Sequence, residues 1–187
     1  MLRLIENDGH FACPLLAAGN QVYSQTPNIL HFLGPQLRLA PKDAASRLRV
    51  HQLQLTIADW LVEVHDVHHP VGSGLYYEEQ KKESRRRAKD FIANRLPKYL
   101  DYFERLLEGD WLLGKVASYA DLSLFQMLAG LDYAFPRTMA GLDYSRLRAL
   151  RDRVATRPLL ARYLASKRRI PFNQQGIFRH YPELDRP

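Results

Sequence analysis

A chain of 187 residues with 46% hydrophobic side chains can bury a sizeable core, which excludes a wholly disordered protein. Its 27 Lys and Arg outnumber 20 Asp and Glu, so the formal charge of +7 favours anionic partners over cationic ones. One cysteine rules out an internal disulfide, MLRLIENDGH carries charges where a signal peptide needs an apolar run, and no stretch is long and apolar enough to span a bilayer, so the expected location is the cytoplasm.

Cys13 to Ala17 and Gln21 to Ser24 read as short strands, joined by Ala18-Gly19-Asn20 in a hairpin. A helix is expected from Gln25, with Ile29, Leu30 and Leu33 on its apolar face and Gly34-Pro35 as its end. GPQLRLAPKD then reads as a linker with two prolines. The first long helix is expected from about Ala44 to His69, because Leu53, Ile57, Trp60, Leu61 and Val64 recur at helical spacing and Pro70 stops it. After a glycine-containing loop, a second long helix runs from about Glu79 to Leu107, with Ala88, Ile92, Leu96, Leu100 and Phe103 in one stripe and a kink expected at Pro97. Further helices are expected over Tyr119 to Phe135, Tyr144 to Ala155 and Pro158 to Ser166. The tail from Ile170 is aromatic and polar without periodicity.

The densest basic cluster, Lys81, Lys82, Arg85, Arg86 and Arg87, is interleaved with Glu78, Glu79, Glu83 and Asp90. That pattern suits a solvated helix face, so no nucleic-acid partner is expected. His65, Asp66, His68 and His69 crowd the end of the first long helix. His65 and His69 share a face, but a zinc site needs three or four ligands and no further group is evident, so no metal is expected. Ser118-Tyr119-Ala120-Asp121 is a capping box, in which the acidic side chain reaches back to the serine N–H. Taken alone it says nothing about function.

Taken in order, the proline-led strand, hairpin, second strand, SQT, short helix, proline-rich linker, two long helices and S-x-A-D-L opening a buried helix resemble the cytosolic glutathione transferases. The tail RIPFNQQGIFRHYPELD is similar to that of a sigma-like or related bacterial, fungal and plant branch of the family. The resemblance implies a mainly α fold: a partial thioredoxin-like, glutathione-binding α/β domain over residues 1–34, a linker over 35–43, and an all-helical C-terminal domain over 44–187. On this resemblance the family's first strand, first helix and second strand are expected to have no counterpart, and Met1 to His10 matches only the stretch before the third strand. The family's catalytic Tyr, Ser or Cys lies in that region, so the catalytic residue is unassigned.

The resemblance also assigns candidate site residues. Pro14 aligns with the family's cis-proline, so that Cys13 offers its backbone to the cysteinyl part of glutathione. Gln25 and Thr26 match the polar pair that binds the γ-glutamyl carboxylate, where a helix start offers N–H donors. Asp59 matches an acidic residue that reaches the partner subunit's glutathione amine in dimeric members, and reads equally as an exposed helix carboxylate. His65 and Asp66 border the pocket for the electrophile. Cys13 is displaced from the place of the family's catalytic cysteine and is not expected to be a nucleophile. The implied activity is conjugation of glutathione, the co-substrate, to a small apolar electrophile by a homodimer. The alternative is a non-catalytic binding or dimerisation module of the same family.

Overall fold

The structure, a computed structural model, describes residues 9–185. Its first elements are two antiparallel strands, β1 (Leu15–Ala18) and β2 (Gln21–Ser24), with Ala18 opposite Gln21. The Gly19–Asn20 turn places Gly19 at φ +60, as a primed hairpin turn requires at its first central residue. The Cys13–Pro14 peptide bond is cis, as the resemblance implies. β1 starts two residues later than the sequence suggests, because Pro14 has no N–H to offer a ladder.

The helix that follows, α1 (Thr26–Gln36), lies against the hairpin, with Tyr23 stacked on Phe32 at 4.3 Å. Gly34 and Pro35 do not end it: Pro35 sits in its last turn, where Leu37 N–H bonds to Leu33 O and Leu39 N–H to Gly34 O. Gly34 serves a different purpose. A Cβ there would lie 2.6 Å from the Tyr119 ring, so the glycine permits two distant parts of the chain to touch.

After residues 37–43, α2 (Ala44–His68) is capped by Asp43, whose carboxylate accepts from Ser46 N at 2.8 Å. Val50, Leu53, Ile57, Trp60, Val64 and Val67 form its buried stripe. The expected second long helix is divided. A 3₁₀ turn (Tyr77–Glu79) leads to α3 (Lys81–Asp90), then a wide π turn (Phe91–Arg95), then α4 (Leu96–Leu106). Leu96 N–H reaches back to Phe91 O, and the widened turn stands where Pro97 withdraws a donor from the ladder.

Glu63 ties α2 to these segments. Its carboxylate accepts from Arg95 Nε at 2.8 Å and Nη2 at 2.6 Å, from Tyr99 OH at 2.8 Å and from Arg87 Nη2 at 3.3 Å. The Arg95 hydrogen bond holds Glu63 below the usual carboxylate range, although burial opposes it.

The centre of the helical domain is α5 (Tyr119–Ala134), buried on most sides and packed between α2 and α7 (Ser145–Ala155). Asp121, fully buried, opens α5 by accepting from Ser118 N, Ser118 Oγ and Leu112 N, all within 2.8 Å. Tyr119 N–H donates to Leu39 O at 2.8 Å, joining the connecting segment to this helix start. A five-residue helix that the sequence does not announce, α6 (Pro136–Ala140), precedes α7, and its first N–H groups donate to the buried carboxylate of Asp185. The last helix, α8 (Pro158–Leu164), is two residues shorter than expected. The tail folds back over α5 and α2: Phe178 and Leu184 are buried, and Tyr181 stacks on Tyr77 at 3.7 Å.

Candidate functional site

The hairpin register brings the first group of candidate residues together. Leu15 lies opposite Ser24 in the last pair of the register, with Pro14 and Gln25 the next residues along the chain on either side. Gln25 has φ 68 and ψ 119, a backbone region that side chains other than glycine rarely occupy. Its carbonyl accepts from Ile29 N at 2.9 Å, starting α1, while its exposed side chain makes no cap bond. The first N–H groups of a helix have no partner within it, and Pro27 removes only one of them here. No acidic residue occupies this first turn. Gln25 and Thr26 are both exposed where α1 begins, at the positive end of its dipole. Cys13, also exposed, lies at the head of the same hairpin.

Asp59 is exposed on α2 and keeps company with apolar side chains. Leu48, Leu55 and Val62 are exposed at seven-residue spacing, and Asp59 falls four residues after Leu55 and three before Val62, on the same face.

The histidine cluster at the end of α2 divides into two functions. His65 and Asp66 are half-exposed and adjacent, with His65 Nδ1 3.3 Å from Asp66 Oδ1. His68 is buried, and burial pushes its imidazole down to about 4, so the ring is neutral. Its Nε2–H donates to Ile177 O at 2.7 Å, which leaves Nδ1 to accept from His69 Nδ1–H. His68 thus fastens the tail to α2. Among the described residues no group of three or more His, Cys, Asp and Glu is arranged to hold a metal.

One feature escapes the sequence. A groove of about 490 Å³ opens between α2, α5 and the segment after α8, with Leu61, Phe172, Ile177 and Phe178 as its apolar walls. His65 and Asp66 stand about one turn beyond Leu61 on α2. Composition shows only basic and aromatic residues near the C-terminus, and the groove arises from the folding of the tail, which has no periodic signal to read. Among the described residues no helix is long and apolar enough to cross a membrane.

A hairpin led by a cis-proline, joined to an all-helical domain around a capped, buried helix, defines a glutathione transferase fold. Comparison with known proteins agrees: the family described as glutathione S-transferase, C-terminal domain, matches residues 65–167, more than half of the chain. The chain belongs to the glutathione S-transferase family. It is similar to glutathione S-transferase A3 of Mus musculus, 26% identical over 168 residues, covering 86% of this chain and 69% of that protein. It is 28% identical over 170 residues to glutathione S-transferase alpha-3 of Rattus norvegicus, covering 87% and 72%. Among solved structures, the fold resembles the Pi-class glutathione S-transferase of Onchocerca volvulus, with TM-score 0.69, 21% identity and coverage of 87% of this chain and 74% of that one. It also resembles prostaglandin synthase D of Nilaparvata lugens, with TM-score 0.73, 17% identity and coverage of 91% and 81%.

Proposed function

We propose that this protein binds glutathione at the start of α1 and conjugates it to a small apolar electrophile, acting as a cytoplasmic homodimer. The observation that carries this reading is Gln25, a non-glycine residue held at positive φ beside Thr26 and an uncapped helix start. Backbone strain of this kind costs roughly 1–3 kcal/mol and persists where the conformation is useful. In this reading the γ-glutamyl carboxylate accepts from Thr26, Gln25 and the first-turn N–H groups, and the Cys13 backbone pairs with the cysteinyl part. Asp59 faces the partner's glutathione amine across an interface built on Leu48, Leu55 and Val62. His65 and Asp66 extend the electrophile pocket along α2 from Leu61.

The chemistry is attack of the glutathione thiolate on an electrophilic carbon. A C–S bond forms, the thiol proton leaves to solvent, and the displaced group departs with its bonding pair. A hydrogen bond to the sulfur favours the thiolate by lowering the thiol pKa. No described residue is assigned as that donor.

A second reading is a glutathione-transferase-like dimerisation module without turnover, and the exposed stripe of Leu48, Leu55 and Val62 favours it. One assay separates the two. With 1-chloro-2,4-dinitrobenzene, the enzyme reading expects glutathione-dependent product above the uncatalysed rate. It also expects Thr26→Ala to raise KM for glutathione about tenfold, the loss of one charge-assisted hydrogen bond. A dimeric chain with no rate above background supports the module.

A further inference from the structure

The +7 charge of the chain is concentrated in one stretch. Residues 153–182 hold seven Arg and Lys and no Asp or Glu, so the other 20 Lys and Arg are matched by the 20 Asp and Glu of the rest of the chain. Three of the seven are engaged. Arg153 pairs with Asp110 at 2.9 Å, Arg157 lies 5.7 Å from the centroid of the Trp111 ring, and Arg179 Nε donates to Gly176 O at 2.8 Å. Arg162, Lys167, Arg168 and Arg169 have no carboxylate partner among the described residues.

These four cations stand among exposed apolar side chains. α8 packs Leu160 and Leu164 against the helical core and leaves Leu159, Arg162 and Tyr163, at i, i+3 and i+4, on a face open to solvent. The chain then turns: Ser166 N–H and Oγ–H both donate to Tyr163 O, and Arg169 N–H donates to Ser166 O. The turn sets the Arg168 guanidinium 6.0 Å from the centroid of Tyr163 and leads directly to Ile170. Leu159 is 75% exposed and Ile170 79%, more than any other Leu, Ile or Val among the described residues. The most exposed aliphatic side chains therefore lie in the segment that carries the excess charge. The other basic surface differs: α3 has Glu78, Glu79 and Glu83 among or just before its cations and contains no large aliphatic residue.

We infer that α8 and the turn after it form a docking surface for a membrane that carries anionic lipids. Arg162, Lys167, Arg168 and Arg169 meet the negative headgroups, while Leu159 and Ile170 enter the interfacial layer. Nucleic acid would satisfy the cations but offers the two aliphatic side chains no apolar layer to enter. The contact is peripheral, since no described helix is long and apolar enough to cross a bilayer. It needs neither glutathione nor an electrophile, so it stands or falls apart from the transferase reading.

Co-sedimentation of the full chain with lipid vesicles tests this. The chain should bind vesicles of mixed phosphatidylcholine and phosphatidylserine, and binding should weaken as salt is added. Vesicles of phosphatidylcholine alone should bind roughly tenfold more weakly or worse. Arg162→Gln/Lys167→Gln/Arg168→Gln should weaken binding to the mixed vesicles by more than about tenfold, because each charge beside an anionic surface is worth about fivefold. Arg162→Lys/Arg168→Lys keeps the charge and should bind as the parent chain does. Leu159→Ser/Ile170→Ser leaves the charge unchanged and should weaken binding about tenfold. All these side chains but Arg169 are exposed and none of the variants touches the core, and an unchanged cooperative unfolding transition reports that each variant is folded.

A control, Lys82→Gln/Arg86→Gln/Lys89→Gln, removes the same charge from α3 and should change binding by about twofold or less. The inference is overturned if phosphatidylcholine alone binds equally well, if the α3 control weakens binding as much as the α8 change, or if Leu159→Ser/Ile170→Ser has no effect. Binding to polyuridylate in place of the mixed vesicles would overturn it in favour of a nucleic-acid surface.

Discussion

Gly130 and Phe178 fit together as notch and plug: a Cβ on Gly130 would lie 2.4 Å from the Phe178 ring, well inside van der Waals contact. The glycine in the middle of α5 thus admits the aromatic ring that seats the tail. Gly130→Ala should destabilise the protein by about 1–2 kcal/mol, because overpacking outweighs the gain in helix propensity. In a Phe178→Ala background the same change should become neutral or stabilising, since the clash is gone. Urea unfolding of the four chains measures this coupling, and simple additivity would argue against it.

Asp121 should be the costliest polar residue to alter in the helical domain. Its carboxylate serves three donors where no water reaches, and burial pushes its pKa up even though those donors oppose the shift. Asp121→Asn turns an amide N–H toward some of these donors and strands them. The expected loss is roughly 3 kcal/mol, or about 9 °C in Tm for a domain of this size. Ser118→Ala, which removes one donor and leaves two, should cost much less.

His68 makes stability depend on pH. Its folded pKa of about 4 lies below the ordinary 6.5, so the unfolded chain takes up the proton first as pH falls. Its contribution is fully present above pH 6.5 and declines as pH drops toward 4. Between pH 7 and pH 5 the loss is about 2 kcal/mol. His51 and His69 are also lowered by burial and add with the same sign. A His68→Gln variant should show a shallower fall in denaturant-derived stability over this range. An unchanged slope would mean that His68 is not held neutral.

Parts of the fold were legible in the sequence because local chemistry set them: Gly19 in the hairpin, the Ser118–Asp121 capping box at a helix start, and the Leu53–Ile57–Trp60–Val64 stripe. Elements decided by distant contacts were not. Gly34-Pro35 looks like a helix end until Tyr119 is seen resting on Gly34. Five residues of α6 are too few to show a period, and the helix depends on Asp185, far along the chain, to hold its first N–H groups. The candidate site divides the same way. Cys13, Pro14, Gln25 and Thr26 could be picked out through the order of the surrounding elements. The groove between α2, α5 and the tail exists only once the tail is folded back.

Gln25 links stability to binding in opposite directions. Gln25→Gly relieves a strained backbone and should raise the unfolding free energy of the unliganded protein by about 1 kcal/mol. The same change removes an amide proposed to contact the ligand, so affinity for glutathione should fall. A variant that is both less stable and equally able to bind glutathione would show that neither the strain nor the amide has the function given to it.

Glutathione binding at the start of α1 is measured most directly by thermal unfolding with and without glutathione. A ligand that binds only the folded state adds RT ln(1 + [L]/Kd), so glutathione at ten times its Kd should raise Tm by about 4 °C. Thr26→Ala at the same concentration should lose most of that shift while keeping its unliganded Tm. A cooperative transition that glutathione does not move, or a shift that Thr26→Ala leaves intact, would contradict the site proposed here.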